Sequence, residues 1–173
     1  MMIEFRPSVV ALAAISAATA AIVLPAPAAQ ADNKRLNDGV IANVYTVARQ
    51  AGCRTELKND PRLRQAAQWH TQDVLNNRNL SADIGSDGST PQDRAAAAGY
   101  QGTVAETVAI NPALAISGIE LIRQWYYNPD YLAIMQNCRN VAIGVWSENS
   151  LDRSVVVAVY GQPVDSAANR PRP

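Results

Sequence analysis

The chain has 173 residues, and its 15 Lys plus Arg are balanced by 15 Asp plus Glu, for a formal net charge of zero. A neutral chain lacks the cationic field of a non-specific nucleic-acid binder and the polybasic segment that holds an anionic membrane. One histidine and two cysteines are too few for a dedicated zinc or iron–sulfur site built from those residues alone.

The chain opens with a short segment carrying one Arg, an apolar run from Ser8 to Leu24, a Pro break, and Ala29-Gln30-Ala31. That order is the pattern of a signal peptide read by signal peptidase, so residues 1–31 are expected to be removed and the mature chain to begin at Asp32. The apolar run is near the lower limit for spanning a bilayer, and its Ala-rich composition is only weakly apolar, so no transmembrane span is expected after cleavage. No twin-Arg pair is present, which points to the general secretion route. Removal leaves about 140 residues, enough for one ordinary domain and little more. In an oxidising compartment the even pair Cys53 and Cys138 reads as one intramolecular disulfide, with two free buried thiols as the alternative.

The first mature helix is predicted over Leu36 to Ala51, with Val40, Val44, Val47 and Ala51 on one stripe, widened by Ile41 and Ala48. Gly52 stops it. Asp60-Pro61 opens a second helix whose inner face is Leu63, Ala66, Ala67, His70 and Val74. A Gly-, Ser- and Asp-rich loop, LSADIGSDGST, follows. Thr90-Pro91-Gln92-Asp93 starts a short third helix that ends at Gly99. Val104 to Ile110 carries β-branched residues and is expected to be extended. Asn111-Pro112 then opens a fourth helix, striped by Ala115, Ile119, Ile122 and Tyr126 and closed by Asn128-Pro129. Val141 to Trp146 and Val155 to Tyr160 are apolar runs joined by turn residues, the signature of a buried antiparallel hairpin. A hairpin alone is marginal, so at least one more strand must pair with it, and the stretch around Glu106 and the segment near Cys53 are the candidates. The sequence therefore predicts a single α+β domain over residues 32–165 and a disordered tail over residues 166–173.

The motifs NVYTVARQAG, NDPRLRQAAQWHTQDVLNN, GSDGSTPQDRAAAAGY, VAETVAI, WYYNPDYLAIM, VAIGVW and VVVAVYGQP occur in that order. Together they resemble the CAP superfamily: the SCP domain, or cysteine-rich secretory, antigen 5 and pathogenesis-related type-1 family. The resemblance spans roughly Leu36 to Gln162 and implies an α-β-α sandwich in a secreted bacterial protein. It also implies a surface cleft where many members place two His and one or two acids able to hold a divalent metal. This chain departs from that pattern. Asp83 stands where the first His is expected, and Tyr131 where the second is expected. The family's Gly-Glu-Asn survives only as Glu106, between Ala105 and Thr107. The resemblance thus implies a cleft built from Glu106, Asp83 and Tyr131, with both imidazoles lost and no zinc site. No cofactor is expected, and the remaining carboxylates suit at most a weakly held calcium or magnesium.

His70, the sole imidazole, could act as a base or a ligand. Its place on the apolar stripe instead favours a packed helix residue with one ring nitrogen hydrogen-bonded, turned away from the cleft. Glu106 lies in an apolar run and could be a cleft carboxylate with a raised pKa or a structural acceptor. Trp125, Tyr126, Tyr127 and Tyr131 cluster too closely for all four rings to face inward, so they form a candidate aromatic surface. The expected function is that of an extracellular or cell-envelope protein that binds an apolar ligand such as a lipid, an envelope component or a protein partner. The alternative is an extracellular, peptidase-like hydrolase using the cleft carboxylates. A structural envelope protein is a third reading that the sequence does not separate from the first.

Overall fold

A computed structural model describes residues 28–80 and 82–164. The expected leader lies outside the described residues except for its last four positions, which head the first helix; the expected tail lies outside them too. Nine elements follow one another: α1 (Ala28–Gln50), β1 (Lys58–Asn59), α2 (Pro61–Asn76), α3 (Pro91–Ala97), β2 (Val104–Asn111), α4 (Gly118–Tyr126), α5 (Pro129–Met135), β3 (Ala142–Asn149) and β4 (Ser154–Gly161).

The strands form one mixed sheet in the order β1-β3-β4-β2. β3 and β4 are the expected hairpin, in register from Ala142↔Gly161 to Asn149↔Ser154. β2 pairs antiparallel with the other side of β4, Glu106 opposite Val159. The two-residue β1 pairs parallel with the start of β3. β2 comes from the candidate stretch around Glu106, and the short β1 lies a few residues beyond Cys53, the other candidate region. β4 is buried along its whole length because helices cover both faces, which is why it reads as an uninterrupted apolar run. Its alternate residues serve two cores. Val156, Ala158 and Tyr160 meet Val40, Val44 and Val47 of α1, Leu121 and Trp125 of α4, and Met135 of α5. Val155, Val157 and Val159 meet Leu63, Ala66, Ala67 and Val74 of α2 and Ala95 of α3. The result is the α-β-α sandwich.

Helix ends follow their local chemistry. Asp60 accepts from the Arg62 amide at 2.8 Å. Thr90 and Asp93 form a reciprocal capping box. Gly52 takes a positive φ of 94° beyond α1, a conformation that favours glycine. The fourth helix differs from expectation. Asn111 is the last residue of β2, paired with Ser154, and its side-chain amide donates to the Ala115 carbonyl at 2.9 Å. α4 begins only at Gly118, capped by Ser117, and Asn128 caps a separate α5 through the amides of Asp130 and Tyr131. Asn-Pro is chemically ambiguous, since it ends an upstream element as readily as it caps a downstream one. At Asn111 the strand ladder wins. The buried face of α4 is consequently Leu121 and Trp125, while Ile119 and Tyr126 of the expected stripe point outward, 77% and 44% exposed.

Cys53 and Cys138 are bridged, with Cα atoms 5.0 Å apart. The bond joins the turn after α1 to the turn before β3, so it fixes one helical layer to the sheet. Closing a loop of 85 residues stabilises by roughly 4–5 kcal/mol in the chain-entropy model. Gly144 marks the closest approach between layers. A Cβ placed there would lie 2.0 Å from the Arg64 amide nitrogen and 2.2 Å from the Leu63 carbonyl carbon, both backbone atoms.

Two outcomes follow. Reduction should lower the melting temperature by more than about 10 °C in a calorimetric scan with and without reductant. Gly144→Ala should destabilise by about 3 kcal/mol or more in denaturant titration, because neither the first turn of α2 nor the strand can yield without losing its own hydrogen bonds.

Candidate functional site

Alternation along β2 sends Glu106 and Val108 toward α2 and α3, and Thr107 toward the other layer, where its hydroxyl meets the Tyr160 hydroxyl at 3.1 Å. Glu106 therefore faces Arg94 of α3 and His70 of α2. Arg94 donates from Nη2 to Glu106 Oε1 at 3.0 Å and to the Asp83 carbonyl at 2.7 Å. Its Nη1 donates to the Ser89 carbonyl at 2.7 Å and also reaches the Ser89 hydroxyl at 3.2 Å. His70 Nε2 lies 2.9 Å from the Ala82 carbonyl. A carbonyl can only accept, so the proton sits on Nε2. On the outer side Asp73 accepts from the Ser86 amide at 2.7 Å and from the Ser86 hydroxyl at 2.6 Å. The glycine-rich loop is thus stitched from below by three side chains on two helices.

The side chains of His70 and Glu106 are both fully buried. Burial first, and then the Arg94 charge, hold the His70 pKa below its ordinary value. The imidazole is neutral, so its 3.4 Å approach to Glu106 Oε1 is a contact between neutral ring and carboxyl, not an ion pair. Burial pushes Glu106 up to about 8, with the Asp83 charge adding and the Arg94 charge and hydrogen bond opposing. Burial works against Asp73 as well, but the Ser86 hydrogen bonds outweigh it and hold that carboxyl below the usual range.

The structure corrects two expectations here. Glu106 does not line an open cleft: it is sealed beneath the loop. His70 is packed on the helix stripe as expected, yet it faces Glu106 instead of turning away. The cause is register, because residue 106 of the outermost strand falls under the helix face that carries residue 70. Asp83 and Tyr131 lie close enough for the Asp83 charge to be felt at both Glu106 and Tyr131. The Glu106 charge is felt at Tyr131 as well, so the three residues neighbour one another, yet no hydrogen bond joins any two of them. Asp83 engages through its carbonyl while its residue is exposed; half-buried Tyr131 packs against the opposite core. Of the candidate aromatic surface, Trp125 is fully buried, whereas Tyr126 and Tyr127 are exposed and meet edge to face at 5.7 Å.

The remaining site does not fit the divalent metal that the resemblance associates with two His. Among the described residues no group of three His, Cys, Asp or Glu is arranged to hold a metal ion. The one buried carboxyl already faces a guanidinium, and a second cation beside it would meet fixed positive charge. Arg94 and Asp73 carry the local architecture but were not singled out from sequence. The signal was present, since Arg94 is the Arg of GSDGSTPQDR.

No protein-family model matches the sequence, and no curated protein matches it. Solved structures do. An extracellular SCP-domain protein from Bacillus anthracis superposes with a TM-score of 0.67 at 13% identity, over 81% of this chain and 45% of that one. An outer surface protein of Borrelia burgdorferi gives 0.65 at 17% identity, over 76% of this chain and 95% of that one. A cysteine-rich secretory protein of Staphylococcus aureus gives 0.59 at 13% identity, over 76% of this chain and 39% of that one. The fold is that of the SCP, or CAP, domain. The chain spans less than half the length of the Bacillus and Staphylococcus proteins, which carry this fold within longer chains.

The buried carboxyl has a measurable signature. The folded state keeps the Glu106 proton until about pH 8, whereas an unfolded chain releases it near the model-compound value of 4.5. Stability therefore falls as pH rises between those values. Wild type should lose about 2–4 kcal/mol relative to Glu106→Gln from pH 5 to pH 8, read by denaturant titration. His70 acts in the opposite direction below its unfolded pKa of about 6.5, and because it touches Glu106 the comparison is made in a His70→Gln background. An opposite slope would mean that the Arg94 charge outweighs burial.

Proposed function

We propose that the chain is an exported CAP-fold protein that works by binding, without metal-dependent chemistry, and that the outward face of α4 is its contact surface. The observation that carries this reading is the complete burial of His70 and Glu106, the two side chains suited to acid–base work. Both are committed to holding a loop, and substrate cannot reach either without unfolding that loop. No observation favours the hydrolase alternative. Export is supported by the leader-like start of the sequence and by the Cys53–Cys138 bridge, which persists in oxidising compartments.

The contact surface is argued from exposure. Ile119 and Tyr127 are 77% and 76% exposed, with Tyr126 and Leu114 beside them in sequence. Ile119 and Tyr126 stand on the outward side of α4, with half-buried Ile122 between them at the margin of the core. Apolar side chains grouped in this way mark surfaces that meet an apolar molecule or a partner. The ligand class is a lipid or other apolar molecule, an envelope component or an envelope protein.

Solvent extracts of the purified mature protein, read by mass spectrometry, should contain a bound apolar molecule, or in-situ cross-linking should trap one envelope partner. Ile119→Ser with Tyr127→Ser should reduce capture at least about tenfold, while stability stays within about 0.5 kcal/mol, as for exposed sites generally. Absence of both ligand and partner refutes the reading.

A further inference from the structure

β1 contributes only two residues, so pairing along that side of β3 stops at Ile143. Beyond it no strand among the described residues covers the edge, between α1 and α2. The opening is a groove of about 320 Å³ lined by Asn33, Lys34, Asn37, Arg64, Trp146 and Ser147. It continues into a recess of about 100 Å³ that shares Lys34, Asn37 and Arg64.

Three observations define its chemistry. The Arg64 guanidinium lies 4.7 Å from the centroid of the Trp146 ring, which fixes the plane of the fork. Among the described residues no carboxylate pairs with it. Lys34, by contrast, is neutralised by Asp38 one turn along α1, so Arg64 is the unbalanced charge of the groove. Finally, Asn37 is only 7% exposed, and its side-chain oxygen is buried without a hydrogen-bond partner. It lines both the groove and the recess, and a buried acceptor in that state calls for a donor from outside.

An idle planar fork wants a carboxylate, which it can hold bidentately. An idle buried acceptor wants an O–H or N–H. A simple aliphatic acid answers the first and not the second; a neutral sugar answers the second and not the first. We propose that this groove binds a small hydroxylated carboxylate of the sugar-acid class. Its carboxylate lies on Arg64, one hydroxyl donates to Asn37 Oδ1, and further hydroxyls exchange with Lys34 and Ser147. None of these residues belongs to α4, so the proposal stands independently of the contact surface described above.

The test titrates the intact mature protein with D-glucuronate, D-glucose and acetate, following tryptophan fluorescence and amide NMR shifts. Trp146→Phe assigns the fluorescence change. Saturable binding of glucuronate is expected, with glucose and acetate each weaker by at least about tenfold. Arg64 is exposed, so Arg64→Gln should keep the melting temperature and weaken glucuronate binding at least about tenfold. Asn37→Asp keeps the side-chain shape and adds a like charge, and should abolish binding; if it does not fold, Arg64→Gln decides. No saturable response at tens of millimolar glucuronate, equal binding of acetate, or binding unchanged in Arg64→Gln would each overturn the proposal.

Discussion

A guanidinium and a carboxyl meet at 3.0 Å in a place that water does not reach, with Arg94 and Glu106 side chains 7% and 0% exposed. A buried charge is costly unless it is paired and hydrogen-bonded. Arg94 finds two backbone carbonyls of the loop as well as the carboxyl, and that requirement fixes α3, β2 and the loop relative to one another. The neutral imidazole of His70 holds the loop at Ala82, while Arg94 Nε, Glu106 Oε2 and His70 Nδ1 are buried without a hydrogen-bond partner among the described residues. This is polar chemistry used as a fastening. Groups that look like acid–base machinery in a linear sequence are here the parts that keep an exposed, glycine-rich segment in one shape.

The interior and the surface consequently divide their roles. His70 and Glu106 are sealed, Arg94 and Asp73 border a surface pocket, and elsewhere the surface presents apolar side chains of α4 and a donor-rich groove. Both surface features arise from incomplete coverage of regular elements. α4 buries Leu121 and Trp125 and leaves Ile119 and Tyr126 uncovered. On the side away from β4, β3 has a strand neighbour for two residues and then, among the described residues, none. Gly144 sits at the start of that uncovered stretch, and its lack of a side chain brings the α2 backbone close enough to set Arg64 above Trp146.

Much of this was legible in the sequence, for identifiable reasons. Periodicity gave the buried faces of α1 and α2, because residues such as Val40, Val44, Leu63 and Ala67 obey the helical period without competing signals. The β3–β4 hairpin was equally plain, since a strand buried on both faces has no polar alternation to obscure it. The extent of α4 was not legible. Asn111-Pro112 carries the same local chemistry as a true cap, and only pairing with Ser154, distant in sequence, decides its fate. The candidate site was legible as a neighbourhood and not as an arrangement. Glu106, Asp83 and Tyr131 are near one another, but which face of the sheet each side chain takes depends on strand register. The groove was not legible at all, because Asn37, Arg64 and Trp146 come from three elements whose association no local pattern announces.

The sheet order has a consequence for assembly in time. Among the described residues β4 is the last element in chain order, and it is an inner strand of the sheet, hydrogen-bonded to β3 on one side and to β2 on the other. Until residue 161 has emerged from whatever compartment or channel delivers the chain, β2 and β3 have no common neighbour, and the two helical layers have nothing between them to pack on. A chain stopped short of Ser154 is therefore not a domain missing an edge. It is two unsupported half-layers, which makes arrival of the final strand the event that commits the molecule to its shape.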